Sequence, residues 1–150
     1  MAKVSVQTND FDVATESKRI TQGCNDIGAV VSFTGLVRDL TNQNLISMTL
    51  EHYAAMTSLE LQRIADEAEK RWDLNGLTVI HRYGELYPGD QIVLVIAASA
   101  HREDAFKAAS YVMDFLKTRA PFWKKEKIGD TSRWVEEKSS DEQATESWDK

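Results

Sequence analysis

Two spacings of apolar residues run through this chain, an alternation of two and a recurrence of three to four, and they sort it into strands and helices. Alternation marks Lys3 to Thr8, where Val4 and Val6 interleave with polar residues, and Leu45 to Tyr53, where Ile46, Met48 and Leu50 fall on one side. Ile27 to Val37 is rich in β-branched residues and predicts another strand, with Gly28 and Gly35 at its ends or bulges. Leu77 to Leu86 and Gln91 to Ser99 predict two more, separated by Tyr87-Pro88-Gly89-Asp90. Proline presets the first φ of a type II turn and glycine readily takes the positive second one, so these two strands are expected to run antiparallel.

The longer period predicts two main helices. Thr57-Ser58-Leu59-Glu60 reads as a capping box, after which Leu61, Ile64, Ala65, Ala68 and Trp72 recur until Asn75-Gly76 stops the segment. The second helix begins near Arg102, carries Glu103 and Asp104 where the dipole favours anions, and ends at Pro121. Its buried stripe is expected to be Ala105, Phe106, Ala109, Val112, Met113 and Leu116. A weaker helix is expected between Val13 and Gly23, and residues 139–150 read as a loosely ordered polar tail that Trp148 could dock. With no internal repeat and no dividing linker, the expected architecture is α+β. It is a single domain, residues 1–138, in which a mostly antiparallel β-sheet carries the two main helices.

Composition narrows the chemistry. At 150 residues and 42% hydrophobic content the chain supports one real core. Its longest apolar stretch, around Ile92 to Ala98, is far short of the roughly 20 residues that span a bilayer, so no membrane role is expected. The one cysteine, Cys24, can form no internal disulfide, and no charged-then-apolar leader opens the chain; a reducing cytoplasm is the expected location. The net charge of −6 disfavours a nucleic-acid binder. From His101 to Lys127, however, seven cations stand against four anions, so this stretch is +3 and the remainder −9. Such local basicity in an acidic chain suits a small anionic ligand.

The cations concentrate around the second helix. Ser99-Ala100-His101-Arg102 sits where a strand hands over to the helix N-terminus, a place where backbone N–H groups and an arginine make an anion site. Lys117 and Arg119 sit at the far end, roughly 20 Å away at 1.5 Å per residue. One helix cannot bring both ends into one site, so either another element folds Lys124 back or a second subunit supplies one end. Lys117 also fits a helix C-terminus through the dipole alone, and Lys124 and Lys125 also fit a solvated loop. Phe122 and Trp123 beside them would exclude water, and desolvation is what makes a lysine an acid, base or nucleophile near neutrality. Arg38 also fits an ordinary surface charge. His52 and His81 have no partner at metal spacing and, like Glu85, read as structural. The chain has no Gly-rich phosphate loop, GxSxG or dinucleotide motif, so neither a cofactor nor a metal is expected. On the residues alone the reading is a soluble domain with a basic pocket for a phosphorylated small molecule, its reaction open.

Six blocks in order carry a resemblance: GAVVSFTGLVRD (28–39), LEHY (50–53) with Met56, VIHRYGELYPGD (79–90), ASAHREDAF (98–106), YVMDFLKTRAPFWKKE (111–126) and RWVE (133–136). Together they resemble the MoaE family, the large catalytic subunits of molybdopterin synthase. The resemblance implies sulfur transfer in molybdenum cofactor synthesis. A small ubiquitin-like carrier brings a C-terminal Gly-Gly thiocarboxylate, and cyclic pyranopterin monophosphate becomes the dithiolene of molybdopterin. The sulfur then belongs to the partner, and Cys24, outside the blocks, is incidental. By position, the resemblance implies that Lys117 and Lys124 are catalytic, Lys117 beside the arriving tail and Lys124 near the pterin. It implies that Arg38, His101, Arg102 and Lys125 bind substrate. It further implies a homodimer at the core of a heterotetramer, with active sites that borrow residues across the dimer, so that Arg38, His101 and Arg102 are expected to meet the lysines of the other protomer. Leu36 departs from the family, being polar or basic in some relatives, and the resemblance assigns Arg133 no definite role. Two other classes fit the same cations: a non-catalytic module that holds a carrier protein or phosphorylated ligand, and a lysine Schiff-base enzyme.

Overall fold

The computed structural model describes residues 2–40, 44–120, 122–135 and 139–149. Within them the order is β1 (Lys3–Gln7), α1 (Val13–Thr21), β2 (Ala29–Leu36), β3 (Leu45–His52), α2 (Ala54–Arg71), β4 (Gly76–Arg82), β5 (Gly84–Leu86), β6 (Gln91–Ser99), α3 (Arg102–Arg119), β7 (Phe122–Ile128), β8 (Thr131–Trp134) and α4 (Ser139–Glu146). The strands form two four-stranded sheets, β1-β4-β6-β2 and β5-β3-β7-β8. All pairs are antiparallel except β1 with β4. The expected α+β domain, mostly antiparallel with two main helices packed on it, is what forms.

The helices cover the first sheet because their apolar stripes match its alternation. Leu61, Ala65 and Ala68 of α2 and Ala108, Val112 and Leu116 of α3 bury against Leu77, Val79, Val93 and Val95. Each fully buried Val or Leu contributes about 1.5–3 kcal/mol relative to exposure. On the sheet's other face α1 closes a smaller cluster of Phe11, Ile80, Leu94 and Ile96. Asp12 caps α1, its carboxylate accepting the Thr15 N–H at 3.0 Å. The second sheet has its own core of Val37, Leu45, Met48, Leu50 and Leu86. Ile92 and Phe122 pack against this core and the first one, which fixes β7 at the junction of the sheets.

Several local expectations are corrected. Leu77 to Leu86 is two strands: the chain breaks at Tyr83 and passes through Gly84 at φ +93°, so β4 joins the first sheet and β5 the second. The turn that follows has Gly89 at φ +94°, with Asp90 N–H donating to the Tyr87 carbonyl at 2.9 Å, and β4 and β6 run antiparallel as expected. The helix α2 begins three residues before Thr57, with Tyr53 at its cap and no side-chain bond there, so Thr57 to Glu60 is not a capping box. Trp72 follows the last helical turn as C-cap. A register shift between Leu45 and Ser47 turns Leu45, Met48 and Leu50 inward and leaves Ile46 exposed. Phe106, placed in the buried stripe of α3, is 59% exposed, and Ala108 and Tyr111 are buried instead. Pro121, the expected stop, and residue 138, the expected domain end, lie outside the described residues. Beyond them, α4 and a following 3-10 turn (Ser147–Asp149) lie along α3, where Trp148 Nε1–H donates to Asp114 at 2.6 Å and its ring meets Trp72 and Tyr111 edge-on.

Candidate functional site

The segment holding Lys124 and Lys125 is a strand. β7 pairs with β3 on one side and β8 on the other, with Lys124 opposite Leu50 and Lys125 opposite Thr49 and Trp134. Alternation therefore divides the two lysines. Phe122, Lys124, Glu126 and Ile128 turn inward and are half-buried, whereas Trp123, Lys125 and Lys127 are exposed. Glu126 accepts from Arg133 Nε at 3.2 Å, which ties β8 to the inward row. Two residues read as a possible charged loop are thus on opposite faces of one sheet.

Beneath Lys124 lies an aromatic and imidazole cluster. The His81 ring stacks on Phe122 at 3.9 Å and 16°, Phe122 is 5.8 Å from the His52 ring, and His52 meets Tyr83 at 4.2 Å. Burial pushes the His81 imidazole down to about 4; its hydrogen bond to the Arg82 carbonyl at 2.8 Å opposes this, and the positive charge of Lys124 and then of His52 adds to it. Nδ1 of His52 is buried with no hydrogen-bond partner among the described residues.

On the outer face of the second sheet, Glu51, His52, Tyr53, Trp123 and Trp134 line an open cavity of about 300 Å³. Trp123 meets Tyr53 edge-on at 4.8 Å, and Lys125 Nζ lies 5.5 Å over the Trp134 ring, within cation–π range. Nothing in the apolar spacing announced this cavity, because its walls come from the ends of β3, β7 and β8. The tryptophans two places apart from charged residues were the available signal.

The remaining cations divide between the two ends of α3. His101 is the N-cap, exposed and making no side-chain cap bond; its N–H donates to Ser99 Oγ at 3.2 Å, and Ser99 Oγ in turn donates to the Asp73 carbonyl at 2.7 Å. Arg102 opens the first turn, so an imidazole, a guanidinium and the first helical N–H groups stand together at the exposed helix start. Lys117 is exposed in the last turn. α3 is helical throughout Arg102–Arg119, which sets Arg102 and Lys117 about 22 Å apart at 1.5 Å per residue. Arg38 follows Val37, whose N–H donates to the Asp90 carbonyl and whose carbonyl accepts from Gly89, both at 2.8 Å. Because β2 runs antiparallel to β6 and α3 turns back along β6, Arg38 belongs to the lysine end of its own chain and His101 with Arg102 to the other. One chain thus sets Arg38 at the C-terminal end of α3, from which β7 with Lys124 follows directly, and leaves His101 and Arg102 at the other end. Among the described residues no group of three or more His, Cys, Asp or Glu is placed to hold a metal, and no helix is long and apolar enough to cross a membrane.

Residues 6–119 match the family model described as MoaE protein. The molybdopterin synthase catalytic subunit of Mesorhizobium japonicum is 56% identical over 147 residues, covering 97% of this chain and 92% of that protein. Among solved structures, the molybdopterin biosynthesis MoaE protein of Burkholderia ambifaria superposes with a TM-score of 0.86 at 45% identity, covering 100% of this chain and 99% of the other. The molybdopterin synthase of Staphylococcus aureus gives 0.80 at 32% identity over 87% of this chain and 95% of the other. The likeness in sequence spans the lysine strand, the His-Arg helix start and the sheet junction together, and the fold agrees over the full length; this chain belongs to the MoaE family.

Proposed function

We propose that this chain is the catalytic subunit of a molybdopterin synthase. It moves sulfur from the C-terminal thiocarboxylate of a small ubiquitin-like carrier to cyclic pyranopterin monophosphate, forming the dithiolene. The observation that carries the reading is Lys124: its strand turns it inward at the junction of two sheets, over a buried imidazole and aromatic cluster, at the end of the chain that also bears Lys117 and Arg38. Ammonium and guanidinium groups there hold the cyclic phosphate and stabilise the negative charge that develops when its ring opens. The two lysines exchange protons during addition and elimination, Lys117 beside the carrier tail and Lys124 near the pterin. Lys125, on the opposite face of β7, supports the site from outside it.

Arg102, about 22 Å from Lys117 on the same helix, completes the site from a second copy together with its neighbour His101. Two features support a dimer. β2 ends the first sheet with one edge unpaired among the described residues, and it exposes Val30, Phe33 and Leu36, while Phe106 is exposed on the adjoining α3. The assembly is a homodimer flanked by two carriers, working in the cytoplasm. The test is reconstitution with a thiocarboxylated Gly-Gly carrier and the cyclic precursor, followed by mass spectrometry of the product. Lys117→Ala and Lys124→Ala are expected to abolish dithiolene formation with melting temperatures unchanged. Full activity in both, or binding of the carrier with no turnover in the wild-type chain, would refute the proposal.

A further inference from the structure

One buried group of titratable side chains lies next to the proposed site without a role in it. His81, on β4, belongs with Leu77 and Val79 to the face that α2 and α3 cover, at the point where that face meets β7. It is 8% exposed, and its ring lies nearly parallel to Phe122. Phe122 and Lys124 are two residues apart on β7, so they rise from the same face, opposite His52 and Leu50 of β3. The ring that His81 stacks on is thus the inward neighbour of Lys124.

The proton on this imidazole is fixed by its surroundings. Nδ1 is 2.8 Å from the Arg82 carbonyl, and a carbonyl only accepts, so Nδ1 carries the hydrogen and Nε2 keeps a lone pair. The titratable and charged groups bearing on the ring are Lys124 from β7 and His52 from β3; Tyr83 lies against His52, and Arg82 turns away to the Thr8 and Gln91 carbonyls. Protonation would set a second positive charge close to Lys124, and burial prevents it down to about pH 4. We infer that His81 is a positioning residue for Lys124: pinned by the Arg82 carbonyl and the Phe122 ring, the uncharged imidazole offers Nε2 as an acceptor that orients the ammonium and keeps competing charge from its side. The inference rests on the reading of Lys124 as catalytic.

Two measurements test it on the complex with its carrier. Imidazole NMR of the wild-type chain is expected to show the Nδ1–H tautomer, and Lys124→Ala is expected to raise the His81 titration midpoint from about 4, since a neighbouring cation is gone. A midpoint and Nε2 signal unmoved by Lys124→Ala overturn the inferred pairing, and this arm needs no substitution at His81. The kinetic arm compares His81→Phe, which keeps a ring on Phe122 but has no acceptor, with His81→Gln, which restores one. Misplacing a catalytic group by about 1 Å costs up to about 100-fold, so kcat is expected to fall toward that in His81→Phe and to recover in part in His81→Gln. KM for the pterin precursor should change much less than kcat, because Lys117 and Arg38 still hold the phosphate. Glutamine as slow as phenylalanine, or phenylalanine as fast as histidine, overturns the inference; should His81→Phe fail to fold, glutamine and the NMR arm decide. An active Lys124→Ala would refute the catalytic reading itself, whereas an inactive Lys124→Ala beside fully active His81 variants would refute the positioning role alone.

Discussion

A Cβ on Gly28 would stand 2.3 Å from the Ala100 carbonyl oxygen, and the Gly28 N–H already donates to Ser99 at 3.0 Å. Backbone meets backbone there, so no side-chain rearrangement can relieve the clash. Gly28→Ala is expected to cost about 1–3 kcal/mol, as overpacking generally does, and to lower the melting temperature of a chain this size by several degrees. The displaced segment is the junction that presents His101 and Arg102, so loss of affinity for the phosphorylated precursor should accompany the loss of stability. His81 gives a second prediction, in which the sign follows from its depressed value. Between its ordinary 6.5 and about 4, the unfolded chain takes up a proton that the folded chain refuses, so stability present above pH 6.5 is lost as pH falls through that window. The full loss is on the order of 3 kcal/mol at about 1.4 kcal/mol per pH unit. Urea unfolding of wild type and His81→Phe checks it: the difference between them should move against the wild type by roughly that amount from pH 7 to 4, and a constant difference would show His81 titrating as it does in the unfolded chain.

The start of α2 separates a sequence motif from its physical content. Thr57 carries the capping-box signature, yet it lies inside the first turn, fully buried, with an Oγ1 that makes no hydrogen bond among the described residues. A true cap would lose about 1 kcal/mol on truncation, but a buried hydroxyl without a partner is itself a cost. Thr57→Val replaces it with a methyl of the same shape and is expected to be neutral or to stabilise by about 1 kcal/mol, read as an unchanged or raised urea midpoint; a clear loss would restore the cap. The same reasoning explains what was legible. Where one face of an element is apolar, as in Val79, Val93, Val95, Ala108 and Val112, spacing located β6, α3 and the start of β4 to within a few residues. β7 escaped because Phe122, Lys124, Glu126 and Ile128 share its inward face, so charge and apolar surface do not alternate. A strand that turns charged side chains inward breaks the pattern that would reveal it, and its lysines stood out by charge and family resemblance instead. Ile46 shows the converse: a clean alternation, shifted by a bulge no composition rule marks.

The distance between the two ends of α3 is what the proposed dimer has to bridge. With Arg102 and Lys117 about 22 Å apart on an unbroken helix, a phosphate cannot touch both in one chain, whereas a two-fold pair can set the N-terminal end of one helix against the lysine end of the other. Mixing two inactive variants tests this. In a heterodimer of Lys117→Ala with Arg102→Ala, one site collects both defects and the other has neither. Random pairing makes half the dimers mixed, so about a quarter of the wild-type rate should return on co-refolding. Lys117→Ala mixed with Arg38→Ala supplies the control, because the fold puts both residues at the same end of one chain: every site then keeps one defect, and the mixture should stay inactive. Recovery in the second mixture would move Arg38 to the partner's side, and silence in the first would show each site built within one chain, leaving His101 and Arg102 to some other ligand.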